Sequence, residues 1–263
     1  MKIALMDSGI GLLAAAAVVR RLRPDADLVV SCDPDGMPWG PRTPADLAGR
    51  ALAVARAAAV HRPDALIVAC NTATVHALDV LRAELEPAIP VIGTVPAIKP
   101  AAAAGGRVAI WATPATTGST YQRGLIRDFA TGARVTEVPC PGLADAVEAA
   151  DDAAVTAAVA AAAALTPADV TDVVLGCTHY ELVEGPIRAA LAARTQRAEL
   201  VYHGSAEPVA VQALRRLGLR PEPDLPRTGG LTVLRSGREG TLPAAALAYA
   251  EGRLLAGQGA PVG

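Results

Sequence analysis

Aromatic residues are scarce in this sequence of 263 residues, where Phe, Trp and Tyr together make up 3% of the chain. Neither sign of charge is in excess, since 24 Lys and Arg stand against 26 Asp and Glu, which gives a formal net charge of −2. Nucleic-acid binding relies on basic surfaces, and single strands also stack on aromatic side chains. The composition therefore argues against a nucleic-acid partner and favours a small-molecule substrate.

Lysine is almost absent, with Lys2 and Lys99 as the only two, and the sequence has no glycine-rich nucleotide loop. A pyridoxal enzyme needs a lysine at the reaction centre for its Schiff base. There is no CxxC pair, and Cys and His are not spaced as in a zinc site. We therefore expect neither an organic cofactor nor a metal.

Long apolar runs are also missing. The apolar stretch after Lys2 is interrupted by Asp7 and Gly9 and is not followed by a signal-peptide cleavage site. The Ala-rich stretch 153–165 is too short to span a membrane. These features predict a soluble, cytoplasmic protein, in which cysteines are usually reduced.

Short apolar runs alternate with Ala-rich stretches of helical length. Strands are predicted at residues 3–6, 27–31, 65–69, 91–92, 108–111, 134–138 and 173–175. Helices are predicted at residues 12–22, 44–60, 74–86, 119–129, 151–165 and 184–193. The Pro- and Gly-containing segment 96–106 is interpreted as a break, and 244–255 as a final helix that packs on the first half. This alternation predicts an α/β fold of βαβ units with mainly parallel sheets.

The pattern restarts near residue 100. The segments IALMDSGIG and VAIWATPATTG are both strands that end in a polar turn, and LIVACNTAT and VVLGCTHYE each place a cysteine just past a strand. This predicts two pseudo-symmetric α/β domains, one of residues 1–96 plus 207–263 and the other of residues 97–206. Because ligands bind at the carboxyl ends of parallel strands, we expect the active site in the cleft between the domains.

Cys70 and Cys177 occupy matched positions between a strand and a helix-length segment. Backbone N–H groups at such a turn favour a reactive thiolate, and His179 stands two residues after Cys177. A single free cysteine is more often a small core residue, which is our interpretation of Cys32 and Cys140. Two cysteines in equivalent turns favour chemistry instead.

Two thiols suit the inversion of a stereocentre. One group removes a proton from one face of a carbon, and the other delivers a proton to the opposite face. With a reference pKa of about 8.5, a thiol is easily tuned to serve as either acid or base. The pattern thus indicates a cofactor-independent racemase that acts on a small acid.

Polar residues at the other two strand ends complete the candidate site. Asp7 could orient a group or exchange protons near Cys70, and Ser8 could donate to a substrate carboxylate; an N-cap for the next helix is the alternative for Asp7. Thr113 and Thr116 occupy the corresponding turn of the second half, where ordinary turn chemistry is the alternative. Hydroxyl and backbone N–H donors at these turns suit an anionic ligand.

The motifs MDSGIG, CNTAT, TPATTGS and GCTHY, in this order, resemble the glutamate racemase branch of the aspartate/glutamate racemase family over roughly residues 2–205. The resemblance implies that Cys70 acts on the D-enantiomer with help from Asp7, and Cys177 on the L-enantiomer with help from His179. Glu148 would support His179. Substrate-binding positions are implied at Ser8, Pro38, Trp39, Gly40, Asn71, Thr72, Thr113, Thr116 and Thr178. The family often forms homodimers and supplies D-glutamate for the bacterial cell wall (peptidoglycan).

Departures from the family pattern leave alternatives open. Leu12 stands where a glycine is usual, Trp39 where a tyrosine is usual and Pro96 where a glutamate is common, and the segment 33–37 is atypical. These changes favour a related racemase or isomerase for another small amino or carboxylic acid as the nearest rival. A binding or regulatory protein built on the racemase fold is the second alternative. A metal-dependent enzyme is the weakest.

Overall fold

The computed structural model describes residues 1–195 and 200–257. The chain divides into two compact units. The first comprises Met1–Thr94 together with the described residues from Ala206 onward, and the second is Val95–Ser205.

The described residues form ten strands and ten α-helices. The strands are β1 (Lys2–Asp7), β2 (Asp27–Cys32), β3 (Ala65–Val68), β4 (Val91–Gly93), β5 (Arg107–Ala112), β6 (Arg134–Pro139), β7 (Asp172–Leu175), β8 (Val201–His203), β9 (Leu231–Arg235) and β10 (Arg238–Gly240). The helices are α1 (Leu12–Leu22), α2 (Pro44–Ala59), α3 (Asn71–Leu85), α4 (Ile98–Ala102), α5 (Thr120–Phe129), α6 (Leu143–Ala149), α7 (Asp152–Leu165), α8 (Glu184–Ala192), α9 (Ala206–Arg216) and α10 (Ala250–Leu255). Two 3-10 helices span Thr178–Val183 and Ala244–Ala248.

The first unit has a six-stranded sheet in the order β10-β9-β2-β1-β3-β4, parallel except for the β9–β10 hairpin. Side chains alternate between the two faces of a strand, and in β1 both sets are buried. Ala4 and Met6 join the core cluster beneath α2 and α3. On the other face, α1 packs against the sheet and against α9 and α10. A strand covered on both faces must be apolar throughout, which explains why residues 3–6 are apolar without interruption.

The second unit has a four-stranded, all-parallel sheet in the order β6-β5-β7-β8. Its described core includes a cluster in which α4 and α5 cover β5 and β7. Capping side chains start two of its helices: Ser119 accepts a hydrogen bond from Gln122 N at α5, and Asp151 accepts one from Ala154 N at α7. These caps satisfy backbone donors that the first helical turn leaves open.

The predicted α/β class and mainly parallel sheets are confirmed. The seven predicted strands and six predicted helices are present, although α3 begins at Asn71 rather than at residue 74. The helix predicted over 244–255 is instead a 3-10 turn followed by α10, and α10 does pack on α1.

The prediction of a break over 96–106 is wrong in part, because α4 lies inside it. Ile98 and Ala101 bury themselves against β5 and β7, and this burial outweighs the helix-breaking tendency of the prolines and glycines around them. The sequence analysis also did not identify α6, α9, β8, β9 or β10. In the described part of the chain, no helix is long and apolar enough to cross a membrane.

Candidate active site

Asp7 and Cys70 lie at the same edge of the six-stranded sheet. Asp7 is the last residue of β1, and Cys70 follows β3 after one intervening residue. The two strands are parallel neighbours, with Met6 opposite Val68 and a hydrogen bond from Ala69 N to Met6 O of 2.8 Å. Cys70 is also the N-cap residue of α3, in extended conformation. The thiol therefore sits at the junction of a buried strand and the first turn of a helix.

The carboxylate of Asp7 is buried and does not cap the following helix. Its Oδ1 accepts hydrogen bonds from Ser8 N at 2.6 Å and from Ser8 Oγ at 3.3 Å. Helix α1 begins at Leu12, five residues after Asp7, with Gly11 as its N-cap and no capping side chain. The N-cap alternative for Asp7 is therefore excluded, and the carboxylate belongs to the turn at the strand end.

Cys177 occupies the corresponding position in the second unit, after β7 and at the N-cap of the 3-10 helix. Its Sγ lies 3.9 Å from His179 Nδ1, and His179 Nε2 lies 3.0 Å from Glu148 Oε2. If the carboxylate accepts the Nε2 proton, Nδ1 is left to exchange a proton with the thiol. The three residues form a thiol–imidazole–carboxylate chain in which His179 is buried and Glu148 is partly exposed.

Gly176 allows this turn to pack closely on the neighbouring strand. A Cβ at this position would lie 2.7 Å from the backbone oxygen of Trp111 in β5. The Gly176 N–H donates to that same oxygen at 2.8 Å. The residue before Cys177 is therefore fixed against β5 by both a hydrogen bond and the lack of a side chain.

Cys140 is the other thiol of the second unit, but its chemistry differs. Burial, followed by the charge of nearby Cys177, raises the pKa of Cys140 to about 12. Its Sγ donates to Val138 O at 3.5 Å, and its backbone oxygen accepts from Tyr180 Oη at 3.4 Å. Cys140 is thus a neutral core group, and Cys32, whose Sγ donates to Leu234 O at 3.6 Å, is likewise buried.

Thr113 and Thr116 form the turn between β5 and α5. Their Oγ1 atoms lie 3.2 Å apart, and Thr116 N donates to Thr113 O at 2.9 Å. Because β5 is the parallel neighbour of β7, this turn emerges at the same sheet edge as Cys177. The two hydroxyl groups and Cys177 therefore share one edge of the second unit.

The loop between β2 and α2 carries Pro38, Trp39 and Gly40. The Trp39 ring is fully buried, and its Nε1 donates to Asp33 Oδ2 at 3.0 Å. The same Asp33 oxygen is 3.3 Å from a guanidinium nitrogen of Arg50. The indole N–H of Trp39 is therefore committed to Asp33, which anchors the loop at the end of β2.

The remaining predicted residues follow the two cysteines directly. Asn71 and Thr72 open α3, and Thr178 opens the 3-10 helix after Cys177. The first unit thus gathers eight predicted site residues at or near its sheet edge: Asp7, Ser8, Pro38, Trp39, Gly40, Cys70, Asn71 and Thr72. The second unit gathers six: Thr113, Thr116, Glu148, Cys177, Thr178 and His179.

Sequence reasoning overlooked two buried polar residues near these edges. Asp33 follows β2, and its Oδ1 accepts from Ser236 Oγ at 3.0 Å, a contact between residues 203 positions apart. Thr94 follows β4, and its N–H contacts both Val68 O and Thr74 Oγ1. No local sequence motif indicates that either residue lies near the site. Among the described residues, no group of three or more His, Cys, Asp or Glu could hold a metal ion.

Comparison with known proteins gives a consistent result. Residues 12–201 match the family described as Asp/Glu/Hydantoin racemase. A glutamate racemase of a Roseiflexus species is 40% identical over 71% of this chain and 70% of its own length, and one of Pseudomonas entomophila is 36% identical over 83% and 82%. The crystal structure of Escherichia coli glutamate racemase, in complex with L-glutamate and the activator UDP-MurNAc-Ala, aligns with a TM-score of 0.79 and 25% identity over 94% of this chain and 91% of that one.

Proposed function

The chain belongs to the Asp/Glu/hydantoin racemase family, and we propose that it interconverts L-glutamate and D-glutamate without a cofactor. The observation that carries this proposal is the pair of matched thiols. Cys70 and Cys177 each follow a buried parallel strand, and each precedes a helical turn that begins with a polar residue. The named relatives are glutamate racemases, which supports glutamate as the substrate.

In the proposed reaction, each thiol serves one face of the α-carbon. Starting from L-glutamate, the thiolate of Cys177 removes the α-proton, and the electron pair remains on the substrate as a planar carbanion. The thiol of Cys70 then donates its proton to the opposite face, which yields D-glutamate and a Cys70 thiolate. The reverse reaction exchanges the two roles.

The acidic and imidazole groups assist the thiols in this scheme. His179, oriented by Glu148, receives or returns the proton of Cys177, consistent with the distances of 3.9 Å and 3.0 Å along this chain. Asp7 plays the corresponding part beside Cys70. Both groups shift the balance between thiol and thiolate at the moment of proton transfer.

The neutral donors would bind the substrate's carboxylates and ammonium group. We assign this role to Ser8, Asn71, Thr72, Thr113, Thr116 and Thr178, with Pro38, Trp39 and Gly40 as the adjoining wall. The buried, Asp33-bound indole of Trp39 suits a packing role better than a polar contact with substrate. Hydroxyl and amide groups bind a carboxylate well where backbone N–H groups also converge.

For the cellular setting, we propose a cytoplasmic enzyme that supplies D-glutamate for peptidoglycan in a bacterial cell wall, and that acts as a homodimer. The family relationship supports the first part, because the named relatives are bacterial glutamate racemases. Sedimentation of the purified protein would test the dimer. A single species at 26.6 kDa would contradict it.

The substrate is tested by incubating the purified, reduced protein separately with each enantiomer of glutamate and of aspartate, and by separating the products on a chiral column. We expect both glutamate enantiomers to approach an equal mixture, since enantiomers have equal free energies, while aspartate reacts far more slowly. Faster turnover of aspartate or of another small acid would move the assignment to the related-racemase alternative. Turnover of none of them by folded protein would favour a binding or regulatory role.

A further inference from the structure

Glu181 lies four residues after Cys177, in the same 3-10 helix as Thr178 and His179. The proposed mechanism gives it no part. Its Oε1 accepts two hydrogen bonds from Ser205, one from the backbone N–H at 2.8 Å and one from Oγ at 2.7 Å. Ser205 is buried and is the last residue of the second unit. The carboxylate therefore ties the segment that carries Cys177 to a residue 24 positions away.

Gly204 makes room for this carboxylate. A Cβ at Gly204 would lie 2.4 Å from Glu181 Oε2 and 2.8 Å from Glu181 Cδ. The backbone of Gly204 is not in the left-handed region, so its conformation alone does not require glycine. A larger residue at position 204 would instead require the carboxylate of Glu181 to shift from its place beside Ser205.

The neighbouring residues of the turn are also tied to other elements. His179 contacts Glu148 of α6, and Tyr180 Oη donates to the backbone oxygen of Cys140 after β6. A short 3-10 helix has poor hydrogen-bond geometry and is weakly stable by itself. The position of the Cys177 turn therefore depends on these side-chain contacts, among them the two hydrogen bonds from Ser205 to Glu181.

We propose that Glu181 is a positioning residue for Cys177. By holding the 3-10 helix to Ser205, it keeps His179 within proton-transfer distance of the thiol. The proposal rests on the proposed function only in taking Cys177 as the thiol that acts on substrate. A displacement of about 1 Å at a reacting group can lower a rate by up to about a hundredfold, so a tie of this kind matters even without touching the substrate.

The test is a double-mutant cycle between positions 181 and 204. The variants are E181A, G204A and E181A/G204A, with E181Q as the conservative replacement, because Gln retains the acceptor oxygen. E184A is the matched control, since Glu184 follows the same 3-10 helix but pairs with exposed Arg188. Two quantities are measured: the alkylation rate of Cys177 by iodoacetamide, followed by mass spectrometry, and the primary deuterium isotope effect on racemisation from each glutamate enantiomer.

We expect alkylation of Cys177 in E181A and G204A to be at least about threefold slower at pH 7 and unchanged at high pH, where the thiol ionises without His179. The double variant should be no slower than E181A, because the added Cβ then meets no carboxylate. E181Q and E184A should match the unmodified protein.

The primary deuterium isotope effect in E181A and G204A should rise for L-glutamate alone, since proton transfer at Cys177 becomes slower. A loss of folded protein would lower the rate but leave the isotope effect unchanged.

Additive effects of E181A and G204A, or an E181A variant indistinguishable from E184A, would overturn the proposal. Should E181A not fold, G204A decides the question, because it displaces the Glu181 carboxylate without changing any other residue. The alkylation cycle requires no racemase activity. An unmodified protein that leaves glutamate unchanged yet shows the coupled alkylation therefore refutes the proposed substrate and retains the role of Glu181.

Discussion

The proton exchange proposed for Cys177 depends on two side-chain contacts, from the thiol to His179 and from His179 to Glu148. His179 is buried and bridges the thiol and Glu148. A carboxylate on Nε2 fixes which ring nitrogen carries a proton and stabilises the imidazolium that forms when the thiol gives up its own. Glu148 should therefore matter to the rate without contacting the substrate.

The variant E148Q tests this point. We expect kcat from L-glutamate to fall about ten- to a hundredfold, because Gln cannot stabilise the imidazolium by charge. The variant D152N, at an exposed carboxylate in the first turn of the next helix, is the control and should keep full activity. The steady-state racemisation rates of E148Q, D152N and the unmodified protein are compared by chiral chromatography. An E148Q variant as active as D152N would remove Glu148 from the mechanism.

A second prediction at this scale concerns alkaline pH. The pKa of Cys140 is raised to about 12 by burial, so as pH rises above its ordinary value of 9.0 the unfolded chain loses this proton before the folded one does. Stability from this group is therefore complete below pH 9 and is lost as the pH rises toward 12. Chemical denaturation at several pH values should show a shallower decline for C140A than for the unmodified protein. Equal slopes would contradict the assignment of Cys140 as a buried neutral thiol.

At the scale of elements, strand ends place the reactive groups. The strand β7 ends at Leu175, and Gly176 then packs directly on the backbone of β5 before the chain turns at Cys177. This close contact between the two parallel strands fixes the backbone position of the residue that precedes the Cys177 thiol. The turn after β5, with Thr113 and Thr116, is fixed by the same pairing.

The variant G176A should displace this turn. Its Cβ would meet the Trp111 oxygen at 2.7 Å, and a backbone atom cannot move aside as a flexible side chain can. We expect a loss of about 1–3 kcal/mol in the free energy of unfolding, together with a marked loss of racemase activity. The control is G185A in α8, where an added Cβ meets nothing within 4 Å. This variant should raise the free energy of unfolding by up to about 1 kcal/mol, because Ala favours the helix more than Gly does. Urea denaturation and activity assays test both expectations. A G176A variant with unchanged stability and activity would refute the close-packing argument.

The elements also show what local sequence can and cannot predict. Strands β1, β3 and β7 were predictable because burial on both faces demands uninterrupted apolar runs. Short elements such as α4 and β8 were not, since they owe their stability to packing partners distant in the chain. The contacts of Asp33 with Arg50 and Ser236 were missed for the same reason, because only the folded chain brings these residues together.

At the scale of the whole molecule, two α/β units each present a thiol at the carboxyl ends of the parallel strands of a sheet. The repeated strand–cysteine–helix motif made this duplication visible in the sequence. Asp7 and His179 were candidates from their positions beside the thiols, whereas the assignment of Glu148 depended on the family resemblance, since Glu148 carries no local signal of its role. Its hydrogen bond with His179 spans 31 positions and exists only in the folded unit.

The central claim is that Cys70 and Cys177 act on opposite faces of one α-carbon. Proton NMR of L- and D-glutamate, incubated separately with the protein in D₂O, tests it most directly when C70A and C177A are measured alongside. The account predicts that the unmodified protein removes the α-proton signal of both enantiomers and forms product of the opposite hand, whereas neither variant racemises either enantiomer. Racemisation by either single variant at a rate near that of the unmodified protein would contradict it.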